Sequence, residues 1–245
     1  MSGRVALFVL VILVVFSSPA LAGPPYVTDD PEPTDYRHFE IYAFGGGTVT
    51  AGGHGGAGGI DFNYGAAPDL QLTAVLPVEF DGSRAGPSAA GLGNVELAAK
   101  YKFLHQESTG WDVSIFPRIF LPSGSRDVGQ QHASVLIPLW IGRDWGTWST
   151  FGGGGCVISH GADSKNYCLV GWALTNQVTS RLQLGVEVYH QTADTRGAHA
   201  TTGIGFGVRY DLNEHYHLLA SIGPGVQHAA QTGQYSWYAS LLYTF

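Results

Sequence analysis

The stretch YSWYASLLYTF, residues 235–245, closes the sequence with side chains that alternate in character. Successive side chains of a β-strand point to opposite faces, so one face of this stretch is apolar and aromatic while the other is largely hydroxylated. The last residues of a soluble domain usually fray and are polar, because nothing rewards their burial. We therefore expect this strand to contact lipid on one side. The aromatic face consists of Tyr235, Trp237, Ala239, Leu241, Tyr243 and Phe245.

Residues 1–22 are typical of a cleaved secretory signal peptide. Arg4 supplies a positive n-region, residues 6–16 form an uncharged apolar run, and residues 20–22 (Ala-Leu-Ala) fit a cleavage site. The apolar run covers about 16 Å as a helix, against a hydrocarbon core of about 30 Å. We expect the mature chain to start near Gly23, and an uncleaved anchor is the alternative.

Composition favours a membrane β-barrel. The chain carries 12 Lys and Arg against 19 Asp and Glu, and this acidic balance argues against nucleic acid as a partner. Charged residues make up only 13% of the chain, which contains 35 glycines; soluble domains carry about a quarter charged residues. No run after the signal is long and apolar enough for a membrane helix, which leaves strands as the spanning elements.

Period-two alternation recurs along the chain, for example over residues 70–80, where Leu, Ala, Val and Phe alternate with mostly polar residues. A soluble β-sandwich shows the same alternation, but its strands have about five or six residues, whereas crossing a bilayer takes about nine to eleven. The runs cover residues 39–50, 57–64, 70–81, 92–104, 111–121, 132–143, 147–159, 166–176, 181–192, 201–210, 216–228 and 235–245.

Connections between these runs alternate in length, as in outer-membrane barrels with short periplasmic turns and longer outer loops. The short set is 65–69, 105–110, 144–146, 177–180 and 211–215; the longer set is 51–56, 82–91, 122–131, 160–165, 193–200 and 229–234. We predict an all-β fold, an antiparallel up-and-down transmembrane β-barrel of about 12 strands over residues 39–245, located in the bacterial outer membrane with both termini in the periplasm. Residues 23–38 precede it as a leader or a plug.

Aromatic residues near the ends of the runs fit an interfacial girdle at the inner rim, and prolines mark places where the strand register is disturbed. The girdle residues are Tyr64, Phe103, Trp111, Trp148, Tyr210 and Phe245, and the prolines are Pro77, Pro117, Pro138 and Pro224.

Several stretches resemble one known family: GPPYVTDDPEPTDYRHFEIYAF (23–44), GLGNVELAAKYKF (91–103), FPRIFLPSG (116–124), and the sequence from IPLWIG (137–142) to FGGGG (151–155). They are similar to bacterial outer-membrane β-barrel proteins of the phenol-degradation meta-pathway family, which are labelled as transporters. The resemblance implies an outer-membrane location and a barrel. It supplies no catalytic residues, and the phenol label is a genomic association that says little about chemistry.

The alternation also predicts a charged lumen. Charged residues that face inward fit a polar channel for a small solute. Alternatively, they form salt bridges with one another and fill a narrow barrel. Inward glycines at 203, 205 and 207 would leave space along one wall. The expected lumen-facing residues are Glu40, Asp61, Glu79, Glu96, Lys100, Lys102, Asp112, Arg118, Glu187 and Arg209.

A Pro-rich acidic cluster precedes the first strand. It could bind a divalent cation through oxygen ligands, fold into the barrel as a plug against Lys100, Lys102 or Arg209, or remain a solvated periplasmic leader. Its members are Asp29, Asp30, Glu32 and Asp35.

Five histidines fall in or beside the predicted outer loops: His54, His132, His160, His199 and His228. A metal site or a pH-sensitive lid is conceivable, but no pair has ligand spacing within one element, so polar loop residues are the preferred interpretation. We predict no metal and no cofactor.

Cys156 and Cys168 flank the predicted outer loop 160–165 symmetrically, so they face each other if the hairpin is centred on residue 162. In an exported chain this register predicts a disulfide that staples the loop, and two unpaired thiols are the alternative.

These features favour a non-enzymatic outer-membrane channel for passive passage of a small solute, with aromatic or hydrophobic compounds as one option. Expected partners are outer-membrane lipid, the solute, and the assembly machinery, which reads a C-terminal strand ending in Phe245. One alternative is a lipid-modifying enzyme, for which His190 is the only histidine placed near the lipid-facing outer rim. The other is a non-conducting interaction barrel with binding loops.

Overall fold

A computed structural model describes residues 25–84, 86–161 and 164–245, so the expected signal peptide lies outside the described residues. No helix in these ranges is long and apolar enough to cross a membrane. The strands are β1 Phe39–Val49, β2 Gly53–Ala67, β3 Leu70–Ser83, β4 Ser88–Leu92, β5 Glu96–Leu104, β6 Asp112–Ile115, β7 Arg118–Phe120, β8 Ser134–Trp145, β9 Trp148–Ser159, β10 Tyr167–Thr179, β11 Leu182–Gln191, β12 Thr201–Asp211, β13 Tyr216–Gln227 and β14 Tyr235–Thr244. The helices are α1 Gln106–Thr109 and α2 Ala229–Thr232.

The sheet closes on itself. Every neighbouring pair of strands is antiparallel, and β14 pairs with β1 along their full length, from Glu40 opposite Thr244 to Val49 opposite Tyr235. β4 and β5 both pair with β3, and β6 and β7 both lie between β5 and β8, so each of these two pairs is one interrupted strand of the wall. The predicted twelve-stranded up-and-down barrel is confirmed.

Strand boundaries differ from the prediction mainly around β2 and the two interrupted strands. β2 begins at Gly53 instead of residue 57, so the first outer connection is a tight turn. The run 92–104 is broken at residues 93–95, and the run 111–121 is broken at residues 116–117. The short helix α1 lies in the predicted inner turn 105–110.

The prolines explain part of this irregularity, because a proline cannot donate a ladder hydrogen bond. Pro117 lies in the break between β6 and β7, and the β12–β13 register shifts close to Pro224. Pro77 and Pro138 instead lie within continuous ladders, opposite Gly59 and Gly155.

The two faces of the wall differ as the alternation predicts. Outward side chains form an apolar belt, in which Leu76 and Ile222 are each 58% exposed and Phe206 is 57% exposed. Inward side chains include charged groups, such as Lys100 at 2% and Glu40 at 5% exposure. A closed cylinder with an apolar exterior and a polar interior is suited to lipid outside, because its backbone groups are paired within the wall.

Stacked aromatic rings close the seam between β1 and β14 at the inner rim, which we define as the rim that carries Phe39 and Phe245. These two residues exchange backbone hydrogen bonds of 2.8 and 3.1 Å. The ring of Phe39 lies 4.5 Å from that of Tyr64 and 4.9 Å from that of Phe245, which in turn stacks on Tyr243 at 4.9 Å. Phe103, Trp148 and Tyr210 are exposed on the outer surface, whereas Trp111 is half-buried.

The two cysteines lie directly opposite each other in the β9–β10 ladder and form a disulfide. The prediction from their symmetric spacing is therefore confirmed. The bond ties the outer ends of β9 and β10 together beside the connection at residues 160–166.

Candidate functional site

The N-terminal segment, Pro25–His38, lies inside the barrel. At the inner rim it is attached to β2, where the Arg37 N–H donates to the Gly65 carbonyl at 2.7 Å and the Gly65 N–H donates to the His38 carbonyl at 3.0 Å. Farther in, the Thr34 N–H donates to the Gln71 side-chain oxygen at 2.8 Å. The prolines of this segment cannot donate hydrogen bonds, which disfavours incorporation into the central part of a sheet.

Cations on β5 and β7 hold the acidic residues of the segment. The Lys100 ammonium, 2% exposed, donates to an Asp29 carboxylate oxygen at 3.1 Å and to the carbonyls of Asp30 and Glu32 at 3.0 and 3.1 Å. Arg118 donates to the other Asp29 carboxylate oxygen at 3.1 Å, and Lys102 pairs with Glu32 at 2.7 Å. Three positive charges on one wall therefore bind the segment.

Burial alters the acidity of two carboxyls in the segment. It raises the pKa of Asp30 to about 7, because desolvation outweighs the opposing effect of Lys100, and Asp29 and Glu32 add repulsion. Burial also raises the pKa of Glu32, although its hydrogen bond to Lys102 opposes the shift. Desolvation of these carboxyls therefore opposes docking of the segment, and their interactions with Lys100 and Lys102 favour it.

The opposite wall holds the start of the segment through Glu187 on β11. The backbone N–H groups of Val27 and Thr28 donate to the two oxygens of its carboxylate at 3.0 Å each. Hydrogen bonds to a charged acceptor are stronger than neutral ones, so Glu187 is a firm anchor. The segment therefore crosses the lumen from β3 to β11.

Inward glycines make room for the segment. A methyl group added at Gly207 or Gly185 would overlap the Tyr26 side chain, and one added at Gly142 would lie 2.8 Å from the Pro31 ring. Along β12, the space beside Gly203 is filled by Tyr189 and the space beside Gly205 by Glu187. The predicted free space along this wall is therefore occupied.

A cavity of about 280 Å³ remains between the segment and the wall. Of the predicted lumen residues, Glu40, Asp61, Glu96, Lys100 and Arg118 line it. The Asn63 amide donates to an Asp61 carboxylate oxygen at 3.0 Å, and the Tyr42 hydroxyl donates to Glu40 at 3.2 Å.

Neutral residues complete the lining, although the charge pattern of the sequence does not indicate them. The same inward alternation that indicated the charged positions would have found most of them. They include Tyr42, Phe44, Asn63, Gln71, Thr73, Phe116 and Tyr238.

The other predicted lumen residues lie elsewhere along the inner face. Lys102 and Asp112 approach to 3.7 Å, and Glu79 lies beside Gly93 at the break between β4 and β5. Arg209 pairs with Asp211 at 3.0 Å near the inner rim. Asp35 of the acidic cluster has an exposed side chain.

The outer-loop histidines do not assemble a metal centre in the part of the chain that the structure describes, where no three His, Cys, Asp or Glu side chains are grouped to hold an ion. His199 and His228 stack with ring centroids 4.6 Å apart, and His54 lies 6.3 Å from Phe80. Asp29 and Asp30 face Lys100, which opposes cation binding there.

His190 lies on the outward face of β11 near the outer end of that strand. Its Nδ1 is 2.8 Å from the Thr202 hydroxyl, which donates to the Gln227 side-chain oxygen at 2.7 Å. A nucleophile needs its histidine to accept the hydroxyl proton. The Thr202 proton is directed at Gln227 instead, so this arrangement is not an activated nucleophile.

The fold is that of bacterial outer-membrane channels and porins. It resembles an outer membrane channel from Pseudomonas putida F1, with a TM-score of 0.76, 13% identity, and 88% of this chain and 98% of that chain covered. It also resembles the KdgM porin, with a TM-score of 0.59, 10% identity, and coverage of 84% and 99%. No curated protein sequence matches the chain.

The closed barrel, its apolar belt and this fold define the chain as a β-barrel of the bacterial outer membrane. Residues 63–243 match the model of the family described as "Putative MetA-pathway of phenol degradation". The chain belongs to this family, as the sequence resemblance implied.

Proposed function

We propose that the protein is a passive outer-membrane channel for a small solute and that its N-terminal segment restricts passage. This proposal rests on the observation that the N-terminal segment lies in the lumen and narrows it. The segment occupies the interior through ion pairs and hydrogen bonds with Lys100, Arg118 and Glu187, and it leaves a polar cavity of about 280 Å³. Noncovalent contacts of this kind can be broken while the wall stays closed.

The cavity lining supports a small solute with both a flat apolar part and a polar group. Phe116, Tyr42 and Tyr238 offer aromatic surfaces beside charged groups. The family description refers to phenol degradation, an association that fits an aromatic solute without defining the chemistry. A purely hydrophobic solute is less well matched, because Glu40, Asp61 and Lys100 face the same space.

Planar-bilayer recordings of the refolded chain test the proposal. Removing residues 25–34 leaves the attachment of Arg37 and His38 to β2 in place and vacates the lumen. We expect the wild-type protein to conduct weakly and the deletion variant to conduct severalfold more. A deletion variant that folds but conducts no more than the wild-type protein would contradict the proposal.

A lipid-modifying enzyme is the second candidate, favoured only by the contact between His190 and Thr202. We propose that the chain is not an enzyme, because the Thr202 hydroxyl donates to Gln227 instead of to the histidine. Phospholipid hydrolysis or acyl transfer that His190→Ala abolishes would reverse this conclusion. An interaction barrel would be supported if shortening the outer loops removed binding of a partner and left conductance unchanged.

We further propose that lipid and the outer-membrane assembly machinery are partners of the chain. The exposed apolar belt supports the first partner. The alternating aromatic strand β14, which is followed by Phe245, supports the second. Assembly into vesicles that contain the purified machinery, compared between the wild-type protein and Phe245→Ala, tests this partner.

A further inference from the structure

Lys100, Arg118 and the ring of Phe116 form a compact site in the lumen. The Lys100 ammonium lies 4.9 Å and the Arg118 guanidinium 4.3 Å from the centroid of this ring. Both cations therefore lie against one aromatic surface, where the attraction between a cation and the π face adds to their orientation. All three side chains line the cavity.

The carboxylate of Asp29 bridges the two cations. One of its oxygens accepts a hydrogen bond from Lys100 and the other accepts one from Arg118, each at 3.1 Å. Charge-assisted contacts to both oxygens of one carboxylate are a specific mode of carboxylate recognition. Asp29 thus occupies the position that the carboxylate of a free molecule would take.

Movement of the segment leaves the cations unequally compensated. Arg118 retains Glu96 of the wall at 3.6 Å, and Lys102 retains Asp112 at 3.7 Å. The ion pairs of Lys100 are with Asp29 and Asp30, which both belong to the segment. Undocking of the segment takes both carboxylates away from Lys100, so the carboxylate of a solute can take their place.

We propose that the site formed by Lys100, Arg118 and Phe116 binds a small organic carboxylate, and that this solute competes with Asp29 for the site. The inference rests on the proposed function, since the competitor reaches the site through the lumen. The two cations bind the carboxylate, and the ring of Phe116 contacts an aromatic or short aliphatic part. Asp29 of the N-terminal segment then competes with the solute for the two cations, and binding of the solute displaces the segment.

Isothermal titration of the detergent-solubilised, folded barrel with sodium benzoate tests the proposal at constant ionic strength. Benzyl alcohol is the neutral probe of similar size. Asp29→Asn removes the tethered carboxylate, and Asp35→Asn is the matched control because the Asp35 side chain is exposed. We expect Asp29→Asn to bind benzoate at least about tenfold more tightly than the wild-type protein, which corresponds to about 1.4 kcal/mol.

Adding Lys100→Met or Arg118→Gln to Asp29→Asn should remove benzoate binding, and the heat-dependent gel mobility of each variant checks that it is folded. Equal affinity for benzoate in the wild-type protein, Asp29→Asn and Asp35→Asn would overturn the proposal. So would binding of benzyl alcohol as tight as that of benzoate, or benzoate binding that survives both added substitutions.

The two proposals can fail separately. If Asp29→Asn does not bind benzoate but the deletion of residues 25–34 conducts, the carboxylate site is wrong and the channel stands. If benzoate binds as expected but no variant conducts, the site stands and the channel proposal is wrong.

Discussion

Lys100→Met should release the N-terminal segment from the lumen. The substitution removes the ammonium that holds Asp29, Asp30 and Glu32 and keeps a side chain of similar length. Breaking a buried ion pair by removing one partner costs about 3–5 kcal/mol. Asp29 keeps its contact with Arg118 at 3.1 Å, so we take the lower end of this range, about 3 kcal/mol. A change of this size shifts the ratio of docked to undocked segment about 100-fold.

Single-channel recordings measure this shift as the fraction of time spent in the higher-conductance state. Lys102→Met breaks a more exposed pair with Glu32, so we expect a smaller shift of about fivefold, for about 1 kcal/mol. Lys165→Met, in an outer connection, is the matched control with no expected change. The reasoning is refuted if folded Lys100→Met gates like Lys165→Met, or if Lys102→Met has the larger effect.

Three further predictions concern stability and pH. Replacing Cys156 and Cys168 by serine should lower the free energy of unfolding in urea by about 3 kcal/mol, and reduced wild-type protein should match the variant. Phe245→Ala loses ring stacking on Phe39 and Tyr243 and should cost about 1–3 kcal/mol in the same assay; an unchanged midpoint would contradict the seam's role. Docking raises the pKa of Asp30 to about 7 from an ordinary value of 3.8, so the docked state binds more protons; docking should weaken, and conductance rise, as pH increases between those values. Asp30→Asn should remove that component of the pH dependence.

The wall of the barrel could be predicted from the sequence because period-two alternation and turn residues are local signals. The spacing of Cys156 and Cys168 even predicted their exact register, since a hairpin pairs residues symmetrically about its centre. The prolines indicated a disturbance near Pro117, between β6 and β7, whereas the break at residues 93–95 was not predicted. At residues 116–117 the alternation continues and only the backbone pairing is interrupted, whereas across residues 93–95 the outward positions change from even to odd numbers, from Leu92 to Leu97.

The interior was less predictable for a physical reason. Alternation identifies which side chains face inward, and it placed Lys100 and Lys102 there, but the path of the segment depends on nonlocal fit. Tyr26 fits beside Gly185 and Gly207 because three separated parts of the chain meet in the closed barrel. For the same reason, Gly203, Gly205 and Gly207 were expected to leave space, whereas Tyr189, Glu187 and Tyr26 fill the space beside them.

A disulfide that ties the segment to the wall tests the central claim most directly. A Cβ placed on Gly171 would lie 3.2 Å from the Cβ of Thr28, a few tenths of an ångström below the disulfide range of about 3.5–4.5 Å. A small shift of the segment therefore lets Thr28→Cys and Gly171→Cys crosslink in a background where Cys156 and Cys168 are serine. With Lys100→Met added, we expect low conductance when the bond is oxidised and high conductance after reduction. High conductance in both states, with the crosslink verified by mass spectrometry, would show that the segment does not control passage through this barrel.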